Sequence, residues 1–447
     1  MKSWLLGALI ILITHQAHGN VYTYFNQRAN ASYTDPYRNI ARSGENLEEV
    51  LLTQIRSAKK SIFIAVQEFR LPLVAKALVE KSNEGIDVRL VIEHDYNFNV
   101  LSQRDITNEG EYEASKISEL RAFVDLNKDG RIQLEELRSR DAIYMIQQSN
   151  VKILDDTSDS SQGSGLMHHK FMIVDGKTTI VSTANFTMSC VHGDVLAPHS
   201  RGNSNSMTLI NSLNVAKIFT EEFMQLWGNG KRGNFGQNKT YRGPITTTIK
   251  DKKITIQFSP TSQRFKWEES VNGLIAQHLK KAKVSVEAAL FVFSDQKLAD
   301  IISERHSRGI KVGFIGESKF AYRDYSEFLD LMGLEMLSSK CIFEPSNNPW
   351  IKPAQEVGVA SLASGDVLHH KFGVVDNSTV IVGSQNWSSA ANYVNDETLI
   401  VIEDEIIANQ FTQEYSRLKK TARIGPTQWL LDQIRSSEES CLYHSSY

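Results

Sequence analysis

The chain has 447 residues, of which 41% are hydrophobic and 23% are charged, and its formal net charge is −3. This is an ordinary globular composition in a chain long enough for two or three domains of about 150 residues each. The slightly negative charge excludes a global basic field that would attract nucleic acid.

Residues 1–19 are predicted to be an export signal. Lys2 supplies a positive start, residues 4–13 form an apolar run, and the small residues Ala17 and Gly19 precede a cleavage site before Asn20. The run is shorter than the roughly 20 residues that a membrane span needs, although an uncleaved anchor is the alternative. We therefore expect a secreted or periplasmic protein.

Two parts of the chain repeat one order of elements. Residues 45–93 and 269–317 align when the second part is shifted by 224 residues. Each contains a short apolar strand (61–66 and 285–290), a helix (73–82 and 297–307) and a second strand (87–92 and 311–315). This alternation predicts α/β architecture built by tandem duplication. The glycine-rich stretch 228–250 is expected to link the halves as a solvated basic loop.

The first half carries an insertion at about 113–147. Within it, side chains that carry oxygen atoms lie at positions one, three and five of a twelve-residue stretch. A glycine lies at position six and a glutamate at position twelve. This spacing resembles the calcium loop of an EF-hand. The resemblance implies a structural Ca²⁺ site held by Asp125, Asn127, Asp129, the backbone carbonyl of Arg131, and Glu136.

We expect flanking helices at 115–124 and 133–147 and the weak affinity of an extracellular module, roughly 10⁻⁴ to 10⁻³ M. Such a site would brace a lid beside the active site. A solvated acidic turn that binds nothing is the alternative.

A block of eight residues occurs twice, at 168–175 and at 369–376. In each copy a histidine is followed by a lysine two residues later, then by an aspartate, and an asparagine closes the next strand. The residues are His168, Lys170, Asp175 and Asn185 in the first copy and His369, Lys371, Asp376 and Asn386 in the second. Residues two apart in a strand point to the same face, so each histidine lies beside its lysine. Imidazole, ammonium and amide groups together form a phosphate-binding set.

This spacing resembles the HKD signature of the phospholipase D superfamily. The resemblance implies two tandem phospholipase D-like domains, at 20–243 and 244–447, each a mixed β-sheet flanked by helices. It places the active site at their interface, on a pseudo-two-fold axis, in a chain that is a monomer with an internal pseudo-dimer.

The resemblance also implies phosphodiester hydrolysis through a phosphohistidine, with no cofactor for catalysis. His168 would attack phosphorus and His369 would protonate the leaving oxygen, although the opposite assignment remains open. The lysines and asparagines would hold the phosphate oxygens, and the two aspartates would orient the strands.

The halves differ downstream of the motif. When Asn395 is matched to Asn205, Glu397 aligns with Met207. An acidic residue at this position in the superfamily commonly fixes the tautomer of the catalytic imidazole. Glu397 is therefore included in the predicted site, where it could mark His369 as the histidine held for attack; a surface charge is the alternative.

The expected substrate is a phospholipid, met in solution or at a membrane surface, whose head group is removed. The alternative is an extracellular nuclease of the same superfamily that acts on DNA or RNA, and a third possibility is a non-enzymatic calcium-dependent binding protein. Export makes Cys190, Cys341 and Cys441 available for at most one internal disulfide, and the sequence does not select the pair.

Overall fold

The computed structural model describes residues 21–102 and 111–444. The predicted export signal lies outside the described residues. Most of the described chain belongs to two mixed β-sheets and the helices that cover them, so the predicted α/β class is confirmed.

The first half forms a seven-stranded sheet in the order β1-β9-β8-β7-β4-β5-β6, in which β4, β5 and β6 are parallel and the remaining pairs are antiparallel. Its strands, with the separate hairpin β2–β3, are β1 Val21–Phe25, β2 Ser32–Thr34, β3 Ala41–Ser43, β4 Ser61–Val66, β5 Asp87–Ile92, β6 Lys152–Asp155, β7 Lys170–Val174, β8 Thr178–Ser182 and β9 Ser206–Asn211. Its helices are α1 Leu47–Ser57, α2 Pro72–Asn83, α3 Glu111–Val124, α4 Leu134–Arg140, α5 Ala142–Gln147, α6 Met188–Val191 and α7 Leu213–Trp227.

The second half repeats this plan in a nine-stranded sheet of order β10-β11-β19-β17-β16-β12-β14-β15-β20. Its strands, with the short pair β13–β18, are β10 Ile245–Ile249, β11 Lys252–Phe258, β12 Ser285–Leu290, β13 Phe293–Ser294, β14 Lys311–Gly316, β15 Glu356–Val359, β16 Lys371–Val375, β17 Thr379–Gly383, β18 Trp387–Ser388, β19 Thr398–Glu403 and β20 Arg423–Ile424. Its helices are α8 Val271–Leu279, α9 Gln296–Ser307, α10 Ser318–Ala321, α11 Glu327–Leu331, α12 Ser389–Tyr393, α13 Glu405–Thr421 and α14 Gln428–His444.

The central strands are buried along nearly their whole length because helices cover both faces of each sheet. All five residues of β7 and all five of β16 are buried. A strand exposed on one face would alternate apolar and polar residues, so the continuous apolar runs after each motif lysine follow from this layered packing.

The two halves share one hydrophobic core. A single cluster of buried residues contains side chains from both sheets and from α7 and α13. Phe219 of α7 contacts Phe258 of the second half with ring centroids 5.2 Å apart, and Phe411 of α13 contacts Phe25 of the first half at 5.0 Å. The two halves therefore pack against each other through α7 of the first half and α13 of the second.

The expectation that the linker is a solvated basic loop holds for Lys231 and Arg232, which are exposed, but it was wrong for Lys239 and Arg242. The side chain of Lys239 is only 6% exposed and forms ion pairs with Glu222 of the first half and Asp396 of the second. Arg242 pairs with Glu222 at 2.6 Å. Two buried carboxylates require cationic partners, so the basic residues of the linker neutralise the contact between the halves.

One disulfide joins Cys341 to Cys441, and Cys190 is a free, buried thiol. The bridge ties the segment after α11 to α14. Among the described helices, none combines the length and apolar character needed to cross a membrane.

Candidate active site

The two motif histidines are brought to the boundary between the halves by reciprocal backbone contacts. The N–H of His168 donates to the carbonyl of Asp396 at 3.0 Å, and the N–H of His369 donates to the carbonyl of Ser204 at 3.1 Å. Each histidine is thus anchored by the opposite half just before its strand begins. Both side chains line one cavity of about 520 Å³.

The partners of the histidines are exchanged between the halves. Glu397 of the second half bonds Nδ1 of His168 at 2.7 Å, whereas Asn205 of the first half bonds Nδ1 of His369 at 3.0 Å. The amide nitrogen of Asn205 donates to the carbonyls of Cys190 and Asn203, so its oxygen faces the imidazole.

The sequence alignment of Glu397 with Met207 was therefore wrong by two residues. In the sheets, Met207 pairs with Ser182 and Leu399 pairs with Gly383, so Met207 corresponds to Leu399. The counterpart of Glu397 is Asn205. The suggestion that Glu397 holds His369 is also wrong, because its carboxylate contacts His168.

Both Nδ1 partners act as hydrogen-bond acceptors in the same geometry. A carboxylate only accepts, so Glu397 places a proton on Nδ1 of His168 and leaves Nε2 with its lone pair. Asn205 does the same for His369 without a negative charge. The two histidines therefore differ in how strongly a positive charge on the ring is stabilised.

Burial controls the protonation of the site. It lowers the pKa of His168 and of His369 well below the usual value, and the positive charges of Lys170 and Lys371 act in the same direction. Burial raises the pKa of Glu397 to about 7, against the opposing effect of Lys170. Burial also lowers the pKa of Lys170 to about 8. The free site therefore favours neutral imidazoles.

Each motif lysine contacts the backbone of its own histidine, but the two lysines have different further neighbours. Lys170 Nζ donates to the carbonyl of His168 at 2.9 Å and to Gln67 at 3.4 Å. Lys371 Nζ donates to the carbonyl of His369 at 2.9 Å and lies 4.8 Å from the ring centroid of Phe291. Gln67 and Phe291 occupy equivalent positions, directly after β4 and β12.

The two asparagines retain unused hydrogen-bonding capacity. Asn185 Nδ2 donates to Gln67 at 3.3 Å, and its side chain lines the cavity. Within the described residues, neither Asn185 Oδ1 nor Asn386 Oδ1 has a hydrogen-bond partner. Buried amide oxygens without partners are suited to bind a polar ligand.

The two motif aspartates lie away from the histidines. The carboxylate of Asp175 accepts backbone hydrogen bonds from Lys59, Lys60 and Ser61. Asp376 repeats this arrangement on residues 283–285. Asp175 lines a separate cavity of about 880 Å³ that neither histidine reaches. The aspartates therefore fix the turn after each motif strand.

Two further glutamates hold the backbone beside the histidines and were missed from the sequence. Glu93 Oε2 accepts the N–H of Met167 at 2.7 Å, and Glu317 Oε2 accepts the N–H of Leu368 at 2.8 Å. They lie 224 residues apart and directly follow β5 and β14. The repeat alignment already contained this identity, which could have identified the pair.

The insertion supplies a wall of the cavity through α3, which is consistent with the expected position beside the active site. After α3 the chain turns sharply at Gly130, where φ is +80°. Asp125 accepts the N–H groups of Asp129 and Gly130, and Glu136 accepts the N–H of Leu126 at 2.8 Å. The side chains predicted as ligands therefore fold onto one closed loop.

This set of oxygen donors fits a hard cation such as Ca²⁺ in its chemistry. The helix after the loop is shorter than predicted. It ends at Arg140 because Asp141 caps a new helix, α5, by accepting the N–H of Tyr144, while its other oxygen accepts the N–H of Val100.

A family model and two similar proteins relate this chain to the same family. The family model described as cardiolipin synthase, PLD-like domain, matches residues 51–227 and 275–419. The mitochondrial cardiolipin hydrolase of Xenopus tropicalis is 30% identical over 142 residues, which are 31% of this chain and 57% of that protein. A phospholipase D of Rickettsia bellii is 24% identical over 173 residues, 39% of this chain and 71% of the relative. The chain thus matches little more than half the length of the Xenopus relative.

The fold agrees with this assignment. The crystal structure of phosphatidylserine synthase from Haemophilus influenzae superimposes with a TM-score of 0.54 at 12% identity, covering 90% of this chain and 87% of that one. At this identity the likeness concerns the fold alone. The family model spans most of the chain and both of its halves, and this protein therefore belongs to the phospholipase D-like domain family.

Proposed function

We propose that the protein is a phosphodiesterase that hydrolyses phospholipid head groups through a phosphohistidine intermediate. The observation that carries this proposal is the meeting of two buried histidines, one from each half, at a single cavity. Each has a fixed acceptor on Nδ1, so Nε2 is the atom available for chemistry.

In the first step, Nε2 of His168 attacks phosphorus and the bond from phosphorus to the leaving oxygen breaks. His369, protonated in the substrate complex, gives its proton to that oxygen. His168 becomes positively charged as the new bond forms, and the carboxylate of Glu397 stabilises this charge. We assign attack to His168 because only this histidine has an anionic partner.

In the second step, His369 removes a proton from water as the water oxygen attacks phosphorus. The bond from phosphorus to His168 breaks, which regenerates the free imidazole. Lys170 and Lys371, which contact the backbone of the two histidines, and the asparagine amides would bind the non-bridging oxygens and stabilise their charge. Each proposed step uses side chains of this chain.

The assignment of the nucleophile is tested by trapping the covalent adduct. A phosphodiester with a nitrophenyl leaving group, labelled on the retained phosphoryl group, is mixed with the wild type, His168→Asn and His369→Asn, and the reaction is stopped by denaturation. Because nitrophenolate leaves without a proton, the variant that lacks the general acid can still form the adduct. We expect label on the wild type and on His369→Asn but none on His168→Asn. Label that survives in His168→Asn would overturn the assignment.

Phospholipid is proposed as the substrate because relatives are named cardiolipin hydrolase and phospholipase D and because the chain has no net positive charge. One preparation is assayed with phosphatidylcholine, cardiolipin and single-stranded DNA, with and without chelator. Head-group release that disappears in His369→Ala supports the proposal. DNA cleavage without lipid turnover would identify a nuclease instead.

We also infer that the protein is exported after cleavage before Asn20. The disulfide between Cys341 and Cys441 supports this inference, because such bridges persist in oxidising compartments. The inference is tested by the N-terminal sequence of protein recovered outside the cytoplasm. A free Met1 on that protein would contradict it.

Calcium at the loop of Asp125, Asn127, Asp129, Arg131 and Glu136 is proposed as structural. The donor chemistry and the closed loop support it. We expect chelation to lower the melting temperature of the wild type but not its activity at low temperature. Activity lost within seconds of chelation and restored by Ca²⁺ would instead indicate a direct role in turnover.

A further inference from the structure

A second group of acidic side chains lies in the C-terminal half, apart from the active site and from the EF-hand-like loop. Glu327 and Asp330 are on α11, and Glu344 is on the segment that leads to β15. Oxygen atoms of the three carboxylates all lie within 4.8 Å of one another. None of the three residues lines the cavity of the histidines.

Glu327 is the unusual member of this group. Its side chain is 0% exposed, and within the described residues neither of its carboxylate oxygens has a hydrogen-bond partner. A buried carboxylate normally has several donors or a paired cation, because desolvation without compensation is costly. A bound cation or a proton is needed to compensate the charge of this carboxylate.

The groups around Glu327 do not compensate its carboxylate. Asp330 is also 0% exposed, and its Oδ1 has no hydrogen-bond partner among the described residues, whereas Oδ2 accepts from Gln296 at 2.6 Å. No lysine or arginine of the described chain forms an ion pair with any of the three carboxylates. Burial, Glu344 and Asp330 together raise the pKa of Glu327 to about 10. Like charges therefore oppose one another at close range.

We propose that Glu327, Asp330 and Glu344 form a binding site for a divalent cation of the Ca²⁺ type. Carboxylate oxygens are the only ligand atoms in the group, which selects a hard cation over zinc or copper. The positions three residues apart on α11 place two carboxylates on one face of the helix. Glu344 is partly exposed and leaves a path for the ion and for water ligands.

The position of the site indicates what the ion would do. Glu344 lies three residues after Cys341, whose disulfide to Cys441 fastens the same segment to α14. Trp350, at the end of this segment, donates its backbone N–H to the carbonyl of Asp330 at 2.9 Å. The ion would bind Glu344 to α11 between these two attachments and order the segment 338–350.

Shared protons are the competing explanation for the carboxylates, and an isosteric substitution separates the two. The test uses full-length mature protein with the EF-hand-like loop disabled by Asp125→Asn and Asp129→Asn. Calcium binding is measured by calorimetry, and melting temperature is measured with Ca²⁺ and with chelator. In this background we expect one remaining site and a rise in melting temperature of about 1–2 °C for each tenfold excess of Ca²⁺ over its Kd.

Adding Glu327→Gln should abolish both the binding and the rise. Glu344→Gln, at a partly exposed position that tolerates change, should weaken binding at least tenfold. Glu80→Gln is the matched control, because it removes an exposed negative charge on α2, in the other half of the chain, and should leave binding unchanged. Circular dichroism in chelator shows whether each variant is folded.

Two results would overturn the proposal. The first is a loop-disabled protein that neither binds Ca²⁺ nor gains stability from it. The second is a Glu327→Gln variant that folds and keeps the full response to Ca²⁺. If the carboxylates only share protons, Glu327→Gln and its loop-disabled parent should be equally stable in chelator. Neither protein should then gain stability from Ca²⁺.

Terbium luminescence gives a second readout that depends on position. Tb³⁺ replaces Ca²⁺ at oxygen sites, and energy transfer from Trp350 should produce emission in the loop-disabled protein. Trp350→Phe should reduce the emission without changing Ca²⁺ affinity. Emission that is unaffected by Glu327→Gln would place the bound ion elsewhere.

Discussion

The exchanged partners of the histidines lead to a prediction about Glu397→Gln. The change keeps the size and the acceptor oxygen of the side chain but removes the charge that faces Nδ1 of His168 at 2.7 Å. Because Glu397 is 0% exposed, little solvent screening reduces its effect on the ring. The loss should appear as the positive charge develops on His168.

The magnitude follows from the type of contact. A hydrogen bond to a charged group contributes about 1.5–3 kcal/mol, which corresponds to a rate reduced roughly 10- to 150-fold at 1.36 kcal/mol for each factor of ten. The matched variant Asn205→Ala removes a neutral acceptor from His369. A neutral hydrogen bond contributes about 0.5–1.5 kcal/mol, so the expected reduction is about 2- to 12-fold.

The assay compares two phosphodiesters in single-turnover experiments, one with an alkyl leaving group and one with a nitrophenyl leaving group. A nitrophenolate leaves without a proton, so a defect in the general acid disappears with this substrate. We expect the Glu397→Gln defect to persist with both substrates and the Asn205→Ala defect to vanish with the activated one. The reverse pattern would refute the reasoning and identify His369 as the nucleophile.

Three other predictions concern charge and stability. Burial lowers the pKa of Lys170 to about 8, so its ammonium is present below that pH and lost above it. In inactive His369→Ala, the Kd for a short-chain phospholipid should therefore rise roughly 10-fold or more between pH 7 and pH 9.5. A Kd that stays constant over this range would exclude the titration. Lys239→Met should lower the free energy of unfolding in urea by about 3–5 kcal/mol, because it leaves buried carboxylates without their cation. The same change at the exposed Lys231 should have little effect. Equal losses in the two variants would contradict this role of Lys239. Backbone hydrogen bonds hold the pKa of Asp175 below its usual value against the effect of burial, so Asp175→Asn should lose about 1–3 kcal/mol at neutral pH, and the difference from the wild type should shrink as the pH falls below about 4. A difference that is independent of pH would show that the charge of Asp175 does not matter.

Much of the fold was readable because its signals are local. The apolar runs of the strands, the helix between them and the 224-residue repeat all depend on neighbours along the chain, and the observed strands at Ser61–Val66 and Ser285–Leu290 have the predicted bounds. The prediction that each motif histidine shares a face with its lysine has the same local basis, although both histidines lie just before the strands that begin at Lys170 and Lys371. A period of two residues determines which side chains share a face of a strand.

The errors concern contacts between distant parts of the chain. Two asparagines, Asn203 and Asn205, both offered a match to Asn395, and only the strand register selects Asn203 and therefore pairs Asn205 with Glu397. The disulfide between Cys341 and Cys441 spans 100 residues, and the sequence did not select it from the possible pairs. From the sequence, Lys239 was interpreted as a solvated linker lysine. Only the packing of the two halves places its side chain in ion pairs with Glu222 and Asp396.

The sequence by itself determined the family, the duplication and the residues that each half brings to the site. Only the tertiary structure decided which half serves which histidine. Glu397 reaches His168 because the two sheets pack through α7 and α13 and exchange the segments that follow their motif hairpins. Each half supplies one histidine, one lysine and one asparagine. The difference between the two histidines arises at the interface of the halves, which no local pattern describes.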